Sequence, residues 1–249
     1  MNRIDQLFQN KGKDILSIYF PAGYPNLNDT VPNLQLLQDK GVDLVEIGIP
    51  FSDPLADGPV IQIAAKQSLD QGMSLKLLFQ QLKEVRSTIT IPLILMGYWN
   101  VVFKYGVDTF LLDCQSCGID GVILPDLPLE EYEEEFKAKF EAHGVYNILL
   151  VTPQTTNQRL AKIEKATKGF LYMVSSSATT GGALEQSSER EDYFKKVASL
   201  DIPSLIGFGI HDKASFRHAS GFSNGAIIGT AFIKALAGGT ASEFIDSLL

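Results

Sequence analysis

Two carboxylates in one short stretch of the sequence are the strongest candidates for chemistry. Glu46 interrupts the apolar run DLVEIGI, and Asp57 follows in the proline-rich segment PFSDPLADGP. A buried carboxylate is costly unless it is paired or used, and this stretch contains no lysine or arginine. Along a strand Glu46 shares one face with Gly48, which suggests that it points into the interior, where a ligand needs space. Because two acids from one strand and its loop can divide acid and base work, we interpret both as catalytic.

Each of these acids also has a purely structural interpretation. Glu46 could be a buried acid paired with a lysine or arginine from elsewhere in the chain. Asp57, which precedes Gly58, could simply form a tight turn. Both alternatives stay open at the level of the sequence.

Glycine-bearing turns late in the chain predict a second site, for an anion. Gly207 and Gly209 lie at the end of the apolar run SLIGFG, and Gly229 and Thr230 follow the run AIIG directly before a helical segment. Glycines let backbone N–H groups approach an oxyanion, and a helix N-terminus attracts phosphate. We therefore expect a phosphate site, with glycine turns that bind nothing as the alternative. The small, polar segment 175–188 has the composition of a lid or of an ordinary surface loop.

Apolar runs and amphipathic segments alternate along the whole chain. Eight apolar or β-branched runs predict strands at 15–20, 43–49, 92–97, 119–124, 146–151, 171–175, 204–209 and 226–229. The runs are continuously apolar, which is typical of parallel strands that are covered on both faces. Eight strand–helix units in 249 residues predict an α/β fold of the (β/α)8 TIM-barrel type.

The ends and the joints of the chain favour a single barrel. The segment RIDQLFQ predicts an extra N-terminal helix that closes the barrel floor. No linker or repeat divides the chain, so we expect one domain, 1–249. An open doubly wound sheet is disfavoured, because its glycine-rich turn after the first strand is missing. In a barrel, both candidate sites follow strand ends and therefore share one rim.

Composition excludes several classes of function. The formal net charge is −8 and no basic run is present, which argues against a nucleic-acid partner. The polar N-terminus lacks a signal-peptide core, and no apolar stretch approaches the ~20 residues that span a membrane. We expect a cytoplasmic protein with no membrane contact. A single CxxC, at Cys114 and Cys117, and three scattered histidines predict neither a disulfide framework nor a metal site.

The motif EIGIPFSDPLADGPVIQ closely resembles the signature of the tryptophan synthase α chain family. Shorter motifs match the family in its order along the barrel: PAGYP after the first strand, PDLP after the fourth, TTGG after the sixth, GFGI after the seventh and GTAFIK after the eighth. The resemblance implies a TIM barrel that cleaves indole-3-glycerol phosphate to indole and glyceraldehyde 3-phosphate. This retro-aldol lyase reaction (EC 4.2.1.20) belongs to L-tryptophan biosynthesis.

The resemblance also implies a role for each site residue. It makes Glu46 the acid–base residue at indole C3 and the glycerol hydroxyl, and Asp57 the partner of the indole N–H. The indole slot is similar to a pocket formed by Tyr19, Met96, Ile123, Val151 and Tyr172, with Thr180 meeting the loop aspartate when the site closes. The phosphate would lie on the backbone of Gly181, Phe208, Gly209, Gly229 and Thr230. Thr230 replaces the serine that is more usual in the family.

A partner chain is a further implication of the resemblance. Members of the family join a PLP-dependent β chain as an α2β2 heterotetramer and pass indole to it through a tunnel. Four residues match positions at the contact between the chains: Asp53, Pro54, Asp126 and Pro128. This chain itself is expected to carry no metal and no organic cofactor, with PLP on the β chain alone.

Two other functions are weighed against this one. Another phosphate-binding barrel enzyme would share the glycine turns, but an indole-glycerol-phosphate synthase would need a catalytic lysine within a strand, which the predicted strands lack. A non-catalytic subunit that only activates a partner would also retain the barrel.

Overall fold

The computed structural model describes residues 1–54, 57–175 and 188–249. Within these residues nine strands pair in parallel, in the order β5-β4-β3-β2-β1-β9-β8-β7-β6. The strands are β1 (Ile15–Pro21), β2 (Leu44–Gly48), β3 (Leu93–Met96), β4 (Gly121–Ile123), β5 (Tyr146–Asn147), β6 (Leu150–Val151), β7 (Leu171–Val174), β8 (Ser204–Gly207) and β9 (Gly225–Ile228).

One helix precedes β1, and the others follow strands and cover the outside of the sheet. They are α1 (Arg3–Asn10), α2 (Thr30–Asp39), α3 (Pro59–Asp70), α4 (Leu75–Leu82), α5 (Trp99–Tyr105), α6 (Val107–Cys117), α7 (Leu129–Glu131), α8 (Lys137–Ala142), α9 (Asn157–Ala166), α10 (Ser188–Ala198), α11 (Lys213–Ser220), α12 (Thr230–Ala237) and α13 (Ala241–Leu248). A π-helical turn, Tyr132–Phe136, joins α7 to α8. None of the helices in the described ranges is long and apolar enough to cross a membrane.

The ring of strands closes through the single segment 146–151. Its first half, β5, pairs with β4, and its second half, β6, pairs with β7. Hydrogen bonds continue across the join, because the Ile148 N–H donates to the Val122 carbonyl at 2.9 Å and the Tyr172 N–H donates to the Leu149 carbonyl at 3.0 Å. One predicted strand thus forms two short ones, and the eight predicted strands are found as nine.

Side chains along each strand alternate between two apolar clusters. Ile15 and Leu44 lie in the cluster that fills the barrel interior, whereas their neighbours Leu16 and Val45 lie in the cluster between strands and helices. Because both faces are buried, the strands are apolar throughout rather than at every second residue. The predicted parallel packing is confirmed.

The N-terminal helix closes the floor of the barrel, as predicted. Asn2 caps α1 by accepting a hydrogen bond from the Ile4 N–H at 2.9 Å. Ile4 is fully buried in the interior cluster with the first residues of the strands, and the ring of Phe8 lies 5.8 Å from that of Phe170. With the floor filled by side chains, only the opposite rim leaves room for a ligand.

The helix α3 is the main element that the sequence patterns missed. It begins at Pro59, directly after the segment that contains Asp57, with Gly58 as its N-cap. Proline is well tolerated at the first helical position, since its missing N–H has no partner there in any case. Of the three prolines that suggested a loop, Pro50 and Pro54 precede the helix and Pro59 begins it, so the loop is shorter than expected.

A buried carboxylate holds the floor together from three directions. Asp120, 3% exposed, accepts hydrogen bonds from Arg3 at 2.9 Å, from Arg86 at 2.6 Å and from the Leu93 N–H at 2.9 Å. The donors come from the N-terminal helix, from the turn after α4 and from β3. This network fixes the floor against the strands.

Asp120→Ala is expected to destabilise the fold by about 3–5 kcal/mol, because it leaves the largely buried Arg86 guanidinium without its carboxylate and the Leu93 N–H without its acceptor. The measurement is the free energy of unfolding in urea. Asp246→Ala is the control, since it breaks an exposed ion pair with Lys40 (2.6 Å) and should cost at most about 1 kcal/mol. Equal losses in the two variants would contradict a structural role for the network.

Candidate active site

Glu46 points into the barrel from the middle of β2. Its register neighbours are Tyr19 on β1 and Ile94 on β3, and it is fully buried. The Ser17 hydroxyl donates to its Oε1 at 2.9 Å, while Oε2 has no partner among the described residues. The buried ion pair considered as an alternative is therefore absent from the described part of the chain. Burial raises the pKa of Glu46 to about 8, and the hydrogen bond from Ser17 opposes that rise.

Asp57 lies at the mouth of the barrel, held by the turn before α3. Its N–H donates to the Pro54 carbonyl at 3.0 Å, and its carbonyl accepts from the Gln62 amide at 2.8 Å. The Tyr98 hydroxyl donates to its carboxylate at 3.3 Å. Burial raises the pKa of Asp57 to about 6, partly offset by that hydrogen bond. Asp57 is therefore part of a turn, as the structural interpretation expected, and this turn places its carboxylate at the cavity.

Two glycines on the strands make room for two tyrosine rings rather than for a ligand directly. A Cβ at Gly48 would collide with the Tyr19 hydroxyl, and a Cβ at Gly207 would collide with the Tyr172 hydroxyl. The space beside Gly48, on the interior face that it shares with Glu46, is filled by the ring of Tyr19. The glycines instead let both tyrosines lie flat against the strands beneath the cavity.

The same two tyrosines show that the acids converge. Burial first, and then the nearby carboxylates of Asp57 and Glu46, raise the pKa of Tyr19. Burial and the same two carboxylates also raise the pKa of Tyr172. Each tyrosine therefore lies near both acids and keeps its proton at neutral pH.

A cavity of about 480 Å³ opens above this group, within the usual size range of small-molecule sites. The residues around it come from both candidate sites and from the strands between them: Tyr19, Asp57, Ile61, Met96, Tyr172, Phe208, Gly209, Ile210, His211, Ile227, Gly229, Thr230, Ala231 and Lys234. Glu46 lies buried below this lining. The two candidate sites of the sequence are therefore two ends of one cavity.

The end of the cavity opposite Asp57 has the geometry of an anion site. Phe208 and Gly209 have positive φ values of 70° and 75°, so the backbone turns sharply after β8. Ser175 holds that turn by donating to the Phe208 carbonyl at 2.9 Å. Gly229 is the N-cap of α12 and Thr230 its first residue, so free N–H groups of the helix begin at the cavity wall.

Two predicted slot residues do not line the cavity. Val151 lies in the cluster between strands and helices, because Leu150, one residue earlier, pairs with Tyr172 and faces the interior. The prediction for Val151 is therefore wrong: its side chain lies on the helix side of the strand, and the side chain of its neighbour Leu150 lies on the inner side. Ile123 does face the interior but is fully buried within the cluster below the cavity.

The remaining predicted residues fall into two groups. Thr180 and Gly181 lie outside the described residues, as does most of the segment 175–188. Asp53, Asp126 and Pro128 are exposed on the rim loops after β2 and β4, and Pro54 is half-buried beside them. Asp126 also accepts from the Trp99 N–H at 2.8 Å and so caps α5.

Sequence reasoning missed three polar residues, two that line the cavity and one, Ser17, that lies below it. Lys234 follows Thr230 by four residues, so it lies one helical turn further along the same face. His211 follows Gly209 by two residues, and its Nδ1 lies 3.0 Å from the Gly209 carbonyl. Ser17 shares the inward face of β1 with Tyr19, a signal that strand alternation could have given. Among the described residues, the Lys234 ammonium has no ion-pair partner.

Comparisons with known proteins agree with the motifs. The family model described as "Tryptophan synthase alpha chain" matches residues 6–245. The protein of that name from Flavobacterium psychrophilum is 52% identical, over 95% of this chain and 94% of its own. The one from Flavobacterium johnsoniae is 49% identical over the full length of both chains.

Solved structures give the same result for the fold. Tryptophan synthase subunit alpha from Legionella pneumophila is 33% identical with a TM-score of 0.89, covering 100% of this chain and 97% of that one. A tryptophan synthase structure from Mycobacterium tuberculosis is 31% identical with a TM-score of 0.91, covering 99% and 96%. The predicted barrel is confirmed.

Glu46→Gln is expected to stabilise the fold increasingly as the pH rises. In the folded protein the carboxyl keeps its proton to about pH 8, whereas the unfolded chain releases it near 4.5, so wild-type stability falls between these values. Glutamine does not ionise, so the stability of the variant does not fall in this way over the same pH range. The difference in unfolding free energy between variant and wild type should therefore grow by up to about 1.4 kcal/mol per pH unit from pH 5 to 8.

The measurement is urea unfolding of both proteins at a series of pH values. Glu133→Gln, on an exposed helix surface, is the matched control and should give no such growing difference. A difference for Glu46→Gln that is constant across this range would show that the carboxyl is not buried as described.

Proposed function

This chain belongs to the tryptophan synthase alpha chain family, a lyase family of tryptophan biosynthesis, and we propose that the cavity above Glu46 is where indole-3-glycerol phosphate is cleaved. One observation carries this proposal: two acids with raised pKa values, Glu46 buried below the cavity and Asp57 half-buried in its wall, lie at one end of a cavity whose other end presents a helix N-terminus and the ammonium of Lys234. Such a cavity suits an aromatic ring at one end and a phosphate at the other.

Glu46 begins the reaction as an acid. With a pKa of about 8 it carries a proton at neutral pH, and it donates this proton to indole C3. The ring then holds a positive charge on its nitrogen. Glu46, now a carboxylate, accepts the proton of the glycerol C3′ hydroxyl, the C3–C3′ bond breaks, and its electron pair returns to the ring. Indole and glyceraldehyde 3-phosphate form, and Glu46 ends the cycle protonated.

Asp57 has the complementary task. Its pKa of about 6 leaves it ionised at neutral pH, when Glu46 is protonated. A carboxylate that accepts a hydrogen bond from the indole N–H stabilises the positive charge that develops on the ring. Because the two acids lie in different surroundings, their pKa values differ, and at neutral pH one is a proton donor and the other an anion.

The walls of the cavity position the substrate between these acids and the anion site. Tyr19, Met96 and Tyr172 supply the apolar faces for the ring. The phosphate lies on the backbone at Gly209, Gly229 and Thr230, with Lys234 as a cationic side chain within reach of the same end. We propose that this chemistry uses side chains and backbone alone, without a cofactor on this chain.

We propose a β chain as the partner, in a heterotetramer in the cytoplasm, with PLP held by that partner. Family membership supports a complex between alpha and beta chains. The exposed loops after β2 and β4 carry Asp53, Pro54, Asp126 and Pro128 at the same rim as the cavity. A partner that covers these loops would lie next to the point where indole leaves.

Glu46→Gln and Asp57→Asn are each expected to lower indole release by at least about a thousandfold, since each removes one acid–base or electrostatic contribution. The assay mixes the chain with indole-3-glycerol phosphate, alone and with the β chain of the same organism. Glu133→Gln is the control and should keep the wild-type rate. Wild-type turnover by Asp57→Asn would overturn the role of the loop acid.

Asp53→Lys is expected to weaken binding of the β chain at least about tenfold, because it reverses a charge at the proposed contact. Calorimetric titration of the two chains measures the affinity, and the isolated variant should release indole at the unstimulated wild-type rate. Asp39→Lys, at the end of α2 near the barrel floor, is the matched control. Equal affinities for both variants would remove the rim loops from the interface.

A further inference from the structure

A buried hydroxyl contacts the catalytic acid in the apolar interior of the barrel. Ser17 is fully buried, and its Oγ donates to Oε1 of Glu46 at 2.9 Å. It lies on the inward face of β1 between Ile15 and Tyr19. Its register neighbour on β2 is Leu44.

A serine is an unfavourable choice for this position unless its hydroxyl is used. A buried hydroxyl costs free energy when it makes no hydrogen bond, and the cluster around it is apolar. Glu46 Oε1 is the acceptor that satisfies it. The pair Ser17–Glu46 is therefore one polar unit inside an otherwise apolar layer.

The contact makes the two oxygens of the carboxyl different. Oε1 is held by Ser17, whereas Oε2 is buried and has no hydrogen-bond partner among the described residues. A buried oxygen without a partner is costly, and in an active site it is available to a substrate. We propose that Ser17 is a positioning residue, whose hydroxyl holds Oε1 of Glu46 so that Oε2 is the oxygen that exchanges protons with the substrate.

Ser17 also sets how readily the acid ionises. Burial raises the pKa of Glu46, and the donated hydrogen bond lowers it again by favouring the carboxylate. In the part of the chain that the structure describes, the other titratable groups near this site are Tyr19 from β1, Tyr172 from β7, Asp57 from the loop after β2 and Tyr98 from the loop after β3. From β3 the register neighbour of Glu46 is the apolar Ile94. Ser17 is thus the neutral donor that eases formation of the carboxylate in the second half of the cycle.

The test combines a direct titration of Glu46 with kinetics, and its kinetic arm rests on the proposed cleavage reaction. The variants are Ser17→Ala, which removes the donor, Ser17→Thr, which keeps it, and Ser204→Ala, which truncates another buried strand serine. Carbon-13 NMR of labelled glutamate side chains gives the Glu46 midpoint, with the signal assigned by its loss in Glu46→Gln. Indole release across pH 5–10 gives kcat and KM.

Ser17→Ala is expected to raise the Glu46 midpoint by roughly one pH unit and to move the alkaline limb of kcat by the same amount. Its kcat should fall about ten- to a hundredfold at unchanged KM, since Ser17 does not line the cavity. Ser17→Thr should restore the midpoint. Should Ser17→Ala not fold, Ser17→Cys supplies the same comparison, because a thiol is a weak donor.

Other outcomes overturn the proposal. A Glu46 midpoint in Ser17→Ala within a few tenths of a unit of that in Ser204→Ala would show that the hydroxyl does not act on the acid. Loss of kcat in both Ser17→Ala and Ser17→Thr would indicate packing instead. If the wild type releases no indole, the proposed reaction fails, yet the NMR midpoint still decides whether Ser17 controls Glu46.

Discussion

The burial of Glu46, with no cation beside it among the described residues, is the constraint on which the rest of the site depends. An ionised carboxylate in an apolar interior is so costly that the group keeps its proton to about pH 8 instead. That cost is a loss of stability that grows as the pH rises from about 4.5 to about 8, and the floor network around Asp120 and the two apolar clusters must offset it. In exchange the barrel holds a proton donor that works at neutral pH, which no exposed glutamate would supply.

The surroundings of Glu46 follow from the same constraint. Gly48 and Gly207 admit two tyrosine rings, which shield the acid while their hydroxyls remain protonated. Asp57 is less deeply placed and hydrogen-bonded to Tyr98, so it ionises about two pH units earlier. The N-terminus of α12 and the ammonium of Lys234 lie at the far end. This gradient favours one orientation of a substrate with an aromatic head and an anionic tail.

Much of this arrangement was predictable, because in a barrel the position of a residue along its strand determines whether it faces inward and how close it lies to the rim. The inward direction of Glu46 follows from alternation along β2, and the shared rim follows from parallel strands. Val151 is a different case, because the family resemblance and not strand alternation placed it in the indole slot. Leu150 faces the interior instead, and in the continuously apolar run YNILLV nothing in the residue types marks which side faces inward. Ser17 was overlooked because a lone serine in an apolar run gives no sign of its partner across the sheet. Alternation along β1 would have placed it on the inward face with Tyr19, but not beside Glu46. Helix α3 was hidden by prolines that precede and begin it.

The most direct test of the account is a crystal structure of the slow Glu46→Gln variant with bound indole-3-glycerol phosphate. We predict the phosphate at the N-terminus of α12 beside Gly209. The side chain at position 46 should lie within about 3.2 Å of the glycerol C3′ hydroxyl and close beneath indole C3, with Asp57 accepting from the indole N–H. A ring that binds out of reach of either acid, or a phosphate at another rim loop, would contradict it.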